Sequence, residues 1–220
     1  MGIYRHITNI MSQEPGSHTV IEIGTNTGLD TAKIFKLSRP CRYYAFEPNP
    51  TSAQQFMKQR IAQYVSFNQC AVGNVDGTTT FNQCDCIHPV NNNRFTGASS
   101  ILEPSNKLLT KHPWIIMKDT IEVPICKLDT FVKERNVPLP VTFIWCDAQG
   151  AEGQIIQGAT ETLKRTKYFY FEYFTEKMYE GCMVLDELLE LLPGWVIVER
   201  YIQDILLKNK RVDYDHYIQR

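Results

Sequence analysis

Apolar residues dominate positions 18–23 (HTVIEI), stop at Gly24 and resume in a mixed stretch over 29–37, which predicts a strand, a tight turn and a helix. The aromatic run 42–46 (RYYAF) supplies a second strand and completes a βαβ unit; Pro48-Asn49-Pro50 then separates it from a polar helix over about 52–62. A third strand is expected over 64–72. Asp76-Gly77, flanked by strand formers, predicts a hairpin turn into an antiparallel strand at 78–81. Periodicity then lapses from about 85 to 120. That segment holds Asn91-Asn92-Asn93 and Thr96-Gly97-Ala98-Ser99-Ser100 but keeps Phe95, Ile101, Leu102, Leu108 and Trp114, so a functional loop or lid is expected there rather than disorder.

Alternation returns at 121–125, and a short helix starts at Leu128 and ends before Pro138 and Pro140. The densest apolar strand, 141–146, runs into a helix reaching about 165, and the aromatic run 168–173 reads as a strand covered on both faces. A helix over about 184–192 ends at Pro193-Gly194, and strands at 195–201 and 204–207 are joined so briefly that they must be antiparallel. The alternation predicts an α/β fold: a three-layer, Rossmann-like sheet, mostly parallel, with an antiparallel C-terminal hairpin strand. With 220 residues and 43% hydrophobic content, one domain over 1–220 can bury an adequate core.

Charge narrows the partners. The 23 basic and 24 acidic residues nearly cancel and form no blocks, so neither nucleic acid nor a membrane surface is expected, and a small-molecule partner is. No apolar run approaches the ~20 residues of a membrane span and the N-terminus lacks a signal-peptide core, which points to a cytoplasmic protein. Met1-Gly2 invites myristoylation, but His6 stands where Ser or Thr is needed. Seven scattered cysteines suit reduced thiols. Cys84-Asp85-Cys86-Ile87-His88 is too tight for a usual structural zinc site, and no metal site is expected. The pattern leaves oligomeric state open.

In open α/β sheets the ligand lies beyond the carboxyl ends of the strands, at the switch point beside the first strand. There the chain reads Glu22-Ile23-Gly24-Thr25-Asn26-Thr27-Gly28, and Glu47 ends the second strand 23 positions after Gly24. An acidic residue at about 20 residues' distance is the one that meets a ribose in nucleoside-cofactor folds. The Gly-x-x-x-Gly spacing offers no pyrophosphate cradle and no Walker sequence is present, so a nucleotide-cofactor oxidoreductase is a weaker alternative. A non-catalytic interaction module is the third reading.

Six segments occur in register: 21–28 (IEIGTNTG), 44–49 (YAFEPN), 70–73 (CAVG), 97–101 (GASSI), 128–131 (LDTF) and 143–152 (FIWCDAQGAE). In this order they resemble the successive motifs of the FkbM family of methyltransferases, over about 18–175. The resemblance implies the class I methyltransferase fold, S-adenosylmethionine as cofactor and, usually, an oxygen atom of a sugar or natural product as acceptor. It also implies that Glu22, Gly24, Asn26 and Gly28 belong to the turn bordering the methionine part, that Glu47, followed by Pro48, holds the ribose hydroxyls, that Asn68, Ala71 and Val72 lie against the adenine, and that Asp147 faces the methyl-donor end. Family members often carry Lys-Ile-Asp on the fourth strand; here Trp145 takes the lysine's place, leaving that lysine's role unfilled.

The sulfonium cofactor is already an activated methyl donor, so the protein must align an acceptor hydroxyl and help remove its proton. Asp147 and Glu172 end the fourth and fifth strands and can serve as general base and orienter. Together they also suit a hard divalent ion such as Mg²⁺, which is not the expected use. The competing reading makes Asp147 the cap of a helix near Ala151 and pairs Glu172 with a cation. His88 and His112, each followed by Pro in the irregular segment, are alternative bases if that segment closes. Ser99 is a candidate for the cofactor or the substrate, or for turn capping, and Tyr173 with Phe174 is a candidate acceptor platform.

Overall fold

The computed structural model describes residues 2–14 and 16–212. A helix, α1 (Ile3–Gln13), precedes β1 (His18–Ile23), α2 (Leu29–Leu37), β2 (Cys41–Phe46), α3 (Pro50–Met57) and β3 (Ser66–Asn68). The chain then makes an excursion through β4 (Ala71–Gly73), β5 (Gly77–Cys84), β6 (Cys86–Ile87), β7 (Arg94–Phe95), α4 (Asn106–Lys111) and β8 (Met117–Lys127). It returns through α5 (Leu128–Glu134), β9 (Val141–Cys146), α6 (Glu152–Gln157), α7 (Thr160–Lys164), β10 (Thr166–Glu172), α8 (Leu185–Glu190), β11 (Trp195–Arg200) and β12 (Asp204–Asn209).

The main sheet has the order β11-β12-β10-β9-β1-β2-β3. The five strands from β10 to β3 are parallel, and β12 runs antiparallel between β10 and β11. This is the expected three-layer, Rossmann-like arrangement. All six residues of β1 and all six of β9 are buried, because helices cover both faces. On one side Ile7, Ile10 and Met11 of α1, Ile34 of α2 and Phe56 of α3 pack against Val20, Tyr43 and Phe143. On the other, Leu128 and Phe131 of α5, Ile155 and Ile156 of α6, Leu163 of α7 and Leu188 of α8 pack against Ile21, Ile144 and Phe169. No element was expected over 3–13, where Ile7, Ile10 and Met11 have the i, i+3, i+4 spacing of a helix's buried stripe.

Four expected boundaries need correction. The strand expected at 64–72 breaks: Cys70 N donates to Asn68 O (3.0 Å), and β4 leaves the main sheet to pair in parallel with β8. Asp76-Gly77 is no hairpin tip, since β5 pairs with β8 rather than with β4. Asp76 instead accepts from Lys127 N (2.8 Å) and Thr130 Oγ1 (2.9 Å), clasping the start of α5. The helix expected to reach 165 is two helices, parted at Gly158, where a Cβ would stand 1.9 Å from Gly73 O. The segment 85–120 contains β6, β7, α4 and the start of β8, and it closes a small core with Leu108, Ile115, Tyr179 and Cys182. No helix among the described residues is long and apolar enough to cross a membrane.

Candidate active site

The carboxyl ends of β1, β2 and β9 meet at Gly24. Its φ is +86°, and a Cβ there would lie 1.8 Å from Asp147 O, so only glycine lets the turn after β1 pass the turn after β9. Gly24 N and Thr25 N both donate to Phe46 O (3.0 Å each), tying that turn to β2. Asn26 also takes a left-handed φ, +48°, which aims its backbone N–H at Glu47.

Glu47 is the fixed point of this half. Its Oε2 accepts from Asn26 N and its Oε1 from Asn49 N, both at 2.7 Å. Burial pushes its pKa up to about 7, opposed by the two backbone N–H groups and reinforced by the charge of Asp147. Each carboxylate oxygen has two acceptor directions, so each retains one for a ligand. Asn49 caps α3 by accepting from Thr51 N (2.9 Å) and Ser52 N (3.4 Å). Asn26 Oδ1 accepts from Ser52 Oγ and Thr96 Oγ1, 3.0 Å each, which fastens the excursion to the β1 turn.

These elements enclose a cleft with about 640 Å³ of space not filled by atoms, its open mouth included. Its walls are apolar at Ile23, Phe46, Val72, Phe81 and Ile101, and polar at Glu47 and Asp147. No lysine, arginine or histidine is among the described residues lining it. Apolar walls and a carboxylate fit a base and a ribose; the missing cations do not fit a pyrophosphate.

At the far side stands a second acidic feature. Gln149 Nε2 donates to Asp147 Oδ1 (2.8 Å) and to Glu172 Oε2 (2.6 Å), so one amide joins the ends of β9 and β10. Burial raises both pKa values; Glu172 goes well above the ordinary carboxylate range because the charges of Asp147, Glu152 and Asp204 add to its desolvation. A buried pair of this kind shares its last proton over a pH range in which exposed carboxylates are fully ionised. Asp147 is not the cap of α6, whose N-cap residue is Ala151 and whose end has no side-chain cap hydrogen bond, and an amide rather than a cation holds Glu172.

Of the residues singled out from sequence, Gly24, Asn26, Glu47, Pro48, Ala71, Val72, Ser99 and Asp147 line the cleft. Ser99 does so with its hydroxyl committed: it donates to Thr96 O (2.7 Å) and accepts from Asn49 Nδ2 (3.1 Å) and Cys84 N (2.9 Å), so its role is structural. Glu22 is turned into the sheet, where it accepts from Tyr43 OH (2.7 Å) and burial pushes its pKa up to about 7. Gly28 starts α2 against Phe56, which a Cβ would approach to 2.6 Å. Asn68 spends its amide on Ala45 O (3.3 Å) and Ser66 O (3.0 Å), while its own carbonyl holds Glu47 N (3.1 Å).

Neither histidine reaches the cleft. His88 Nδ1 accepts from Val90 N (3.3 Å), and the ring packs edge-on to Trp114 with centroids 4.9 Å apart. His112 ends α4 and lines a separate hollow with Tyr173, Phe174 and Glu176. Tyr173 is itself buried and donates to Tyr201 O (3.1 Å). Sequence reasoning missed Gln149, Ser52, Thr96 and Phe81. The one signal for Gln149 was its place before Gly150 at the end of the densest strand, where the backbone needs a left-handed turn. No group of three or more His, Cys, Asp or Glu able to hold a metal ion occurs among the described residues.

Residues 22–201 match the Methyltransferase FkbM domain. Over 219 residues the chain is 27% identical to 2-O-methyltransferase NoeI of Sinorhizobium fredii, covering 96% of this chain and 86% of that protein. Among solved structures it resembles an rRNA methylase from Streptococcus thermophilus (12% identity, TM-score 0.47, 95% of this chain and 96% of that one). It also resembles a putative methyltransferase from Streptococcus mutans in complex with SAH (10% identity, TM-score 0.47, 94% and 98%).

Proposed function

The chain belongs to the FkbM family of methyltransferases, and from that premise we propose that it transfers a methyl group from S-adenosylmethionine to a hydroxyl oxygen of a saccharide or another small hydroxylated metabolite. Family membership sets aside the oxidoreductase and the non-catalytic module. The observation that carries the oxygen acceptor is the Asp147–Gln149–Glu172 cluster beside a cleft suited to a nucleoside.

When bound, the cofactor supplies the methyl group on a sulfonium, already activated for attack. Glu47 accepts from the ribose hydroxyls on the lone pairs its backbone partners leave free. The apolar wall of Phe46, Val72 and Phe81 takes the adenine and keeps water off it. Asp147, the member of the acidic pair that lines the cleft, accepts the proton of the acceptor hydroxyl, while Glu172 lies behind it. The name of the curated relative, a 2-O-methyltransferase, supports oxygen as the methylated atom. The near-neutral charge and the absence of Lys, Arg and His among the described residues that line the cleft support a small neutral acceptor over RNA.

The test is to incubate the protein with methyl-labelled S-adenosylmethionine and, separately, neutral oligosaccharides, small amines and an RNA transcript. Label is expected in an ether on the saccharide. Transfer to amines or to RNA, with none to hydroxylated small molecules, would overturn the acceptor class.

A further inference from the structure

Among the described residues two pairs of cysteines touch, and they differ in what can reach them. Cys84 and Cys86, at the junction of β5 and β6, stand 3.6 Å apart between Sγ atoms, but both are buried. Cys70 and Cys126 stand 3.8 Å apart between Sγ atoms although they are 56 positions apart in the chain. Both are only half-buried, and Cys70 lines the cleft while Cys126 does not. A reagent small enough to enter the empty cleft meets Cys70 with a second thiol directly behind it. A ligand seated in the cleft covers the same wall.

The chain around Cys70 ties this pair to the site. Cys70 N donates to Asn68 O (3.0 Å), and the same carbonyl accepts from Glu47 N (3.1 Å). Beyond Cys70, Ala71 and Val72 line the cleft and pair in parallel with Ile125 and Cys126 of β8. Sulfurs in a disulfide are about 2 Å apart, so the two thiols must draw together to bond. β8 is paired on both edges, with β4 and with β5, whereas 68–70 is a turn between two sheets. The turn is therefore the part that moves, and it joins the Glu47 anchor to the apolar wall. The hydrogen bond with Cys126 and the charge of Arg135 hold the Cys70 thiol below its ordinary range against its burial, which makes it the first to react.

We propose that Cys70 and Cys126 are a peroxide-sensitive dithiol in the wall of the cleft, which closes to a disulfide when the cleft is empty and is shielded when S-adenosylmethionine fills it. The inference rests on the cleft being the cofactor site. The Cys70 thiolate attacks one oxygen of hydrogen peroxide and the O–O bond breaks. The departing hydroxide becomes water with the proton Cys70 had released, leaving a sulfenic acid on Cys70. The Cys126 sulfur then attacks Cys70 Sγ, the S–O bond breaks, and hydroxide leaves as water with the Cys126 proton. Two thiols are oxidised to one disulfide while one peroxide is reduced to two waters, and a thiol reductant restores the pair. Movement of the turn that carries Asn68, Ala71 and Val72 weakens cofactor binding in the oxidised form. By linkage, bound cofactor disfavours the disulfide by the same factor.

The test is to treat the reduced full chain with hydrogen peroxide, with and without saturating S-adenosylhomocysteine, to map disulfides by differential alkylation and peptide mass spectrometry, and to measure S-adenosylhomocysteine affinity by calorimetry. A Cys70–Cys126 disulfide is expected, forming about fivefold or more slowly with S-adenosylhomocysteine bound, and affinity should fall by about fivefold or more on oxidation and return with dithiothreitol. Cys126→Ser should bind like the reduced wild type and keep that affinity after peroxide. If that variant fails to fold, the disulfide map of the wild type decides by itself. A map with no Cys70–Cys126 disulfide, or with one at Cys84–Cys86 alone, would overturn the proposal. So would a Cys70–Cys126 disulfide that forms equally fast with S-adenosylhomocysteine bound, or that leaves affinity unchanged. Reduced wild type that does not bind S-adenosylhomocysteine removes the cofactor reading of the cleft, and the shielding with it, whether or not the disulfide forms.

Discussion

Glu47 and Asp147 each follow the last residue of a parallel strand, each lines the same cleft, and burial raises the pKa of each. Their partners differ. Glu47 is held by two backbone N–H groups, from Asn26 and Asn49, which lie close to it in the turn chemistry of β1 and β2. Asp147 is held by a side-chain amide that also holds Glu172 and is itself positioned by Ser100 and Tyr179, from two distant segments. Backbone donors make a rigid receptor for a ligand that is the same in every turnover. Side-chain donors make a proton distribution that can change between steps, as a base requires.

The sharpest way to break this comparison is at the point where the two halves touch. Gly24→Ala places a Cβ 1.8 Å from Asp147 O on a φ of +86°. Stability should fall by ~3 kcal/mol or more, read from the urea midpoint, because backbone and not a flexible side chain stands in the way. A loss under about 1 kcal/mol would mean that the two turns are not in contact.

Asp147→Asn should then separate chemistry from binding. Turnover should drop by roughly 10²–10⁴, as when a general base is removed, while affinity for S-adenosylhomocysteine stays within a few-fold. A loss of affinity as large as the loss of turnover would make Asp147 a binding residue, erasing the difference between the halves. The mildest probe concerns Glu22, which is close to Glu47 in sequence but is turned into the sheet. Tyr43→Phe removes its hydrogen-bond donor and should cost about 1–3 kcal/mol of stability with no change in cofactor affinity. Weakened binding would place Glu22 back in the site.

The same contrast explains how much could be read from sequence. The β1 turn and Glu47 were legible because glycine, asparagine and the 23-residue interval are local consequences of a βαβ unit. The main sheet was legible for the same reason, since each strand sits beside its helix. The switch of β4 into a second sheet was not, because Ala71 and Val72 are apolar whichever sheet they join and only the pairing with Ile125 and Cys126 decides. Nor were Gln149 and Thr96 legible: apart from Asp147, two positions before Gln149, their side-chain partners lie 23 to 70 positions away, and no local period reports such contacts. His88 and His112 are candidate bases by residue type, but the packing of Trp114 and the end of α4 hold them elsewhere.

The most direct measurement is calorimetric binding of S-adenosylhomocysteine to the wild type and to Glu47→Gln between pH 6 and pH 8. Free Glu47 has a pKa of about 7, and ribose hydroxyls donating to its ionised form lower that value in the complex. Affinity should therefore be greatest above pH 7 and fall as pH drops through 7, by up to about tenfold per unit, with a proton released on binding. Glu47→Gln should bind about 10- to 100-fold more weakly and lose the pH slope. Binding that is equally tight in both proteins, or independent of pH in the wild type, would contradict Glu47 as the ribose-holding residue.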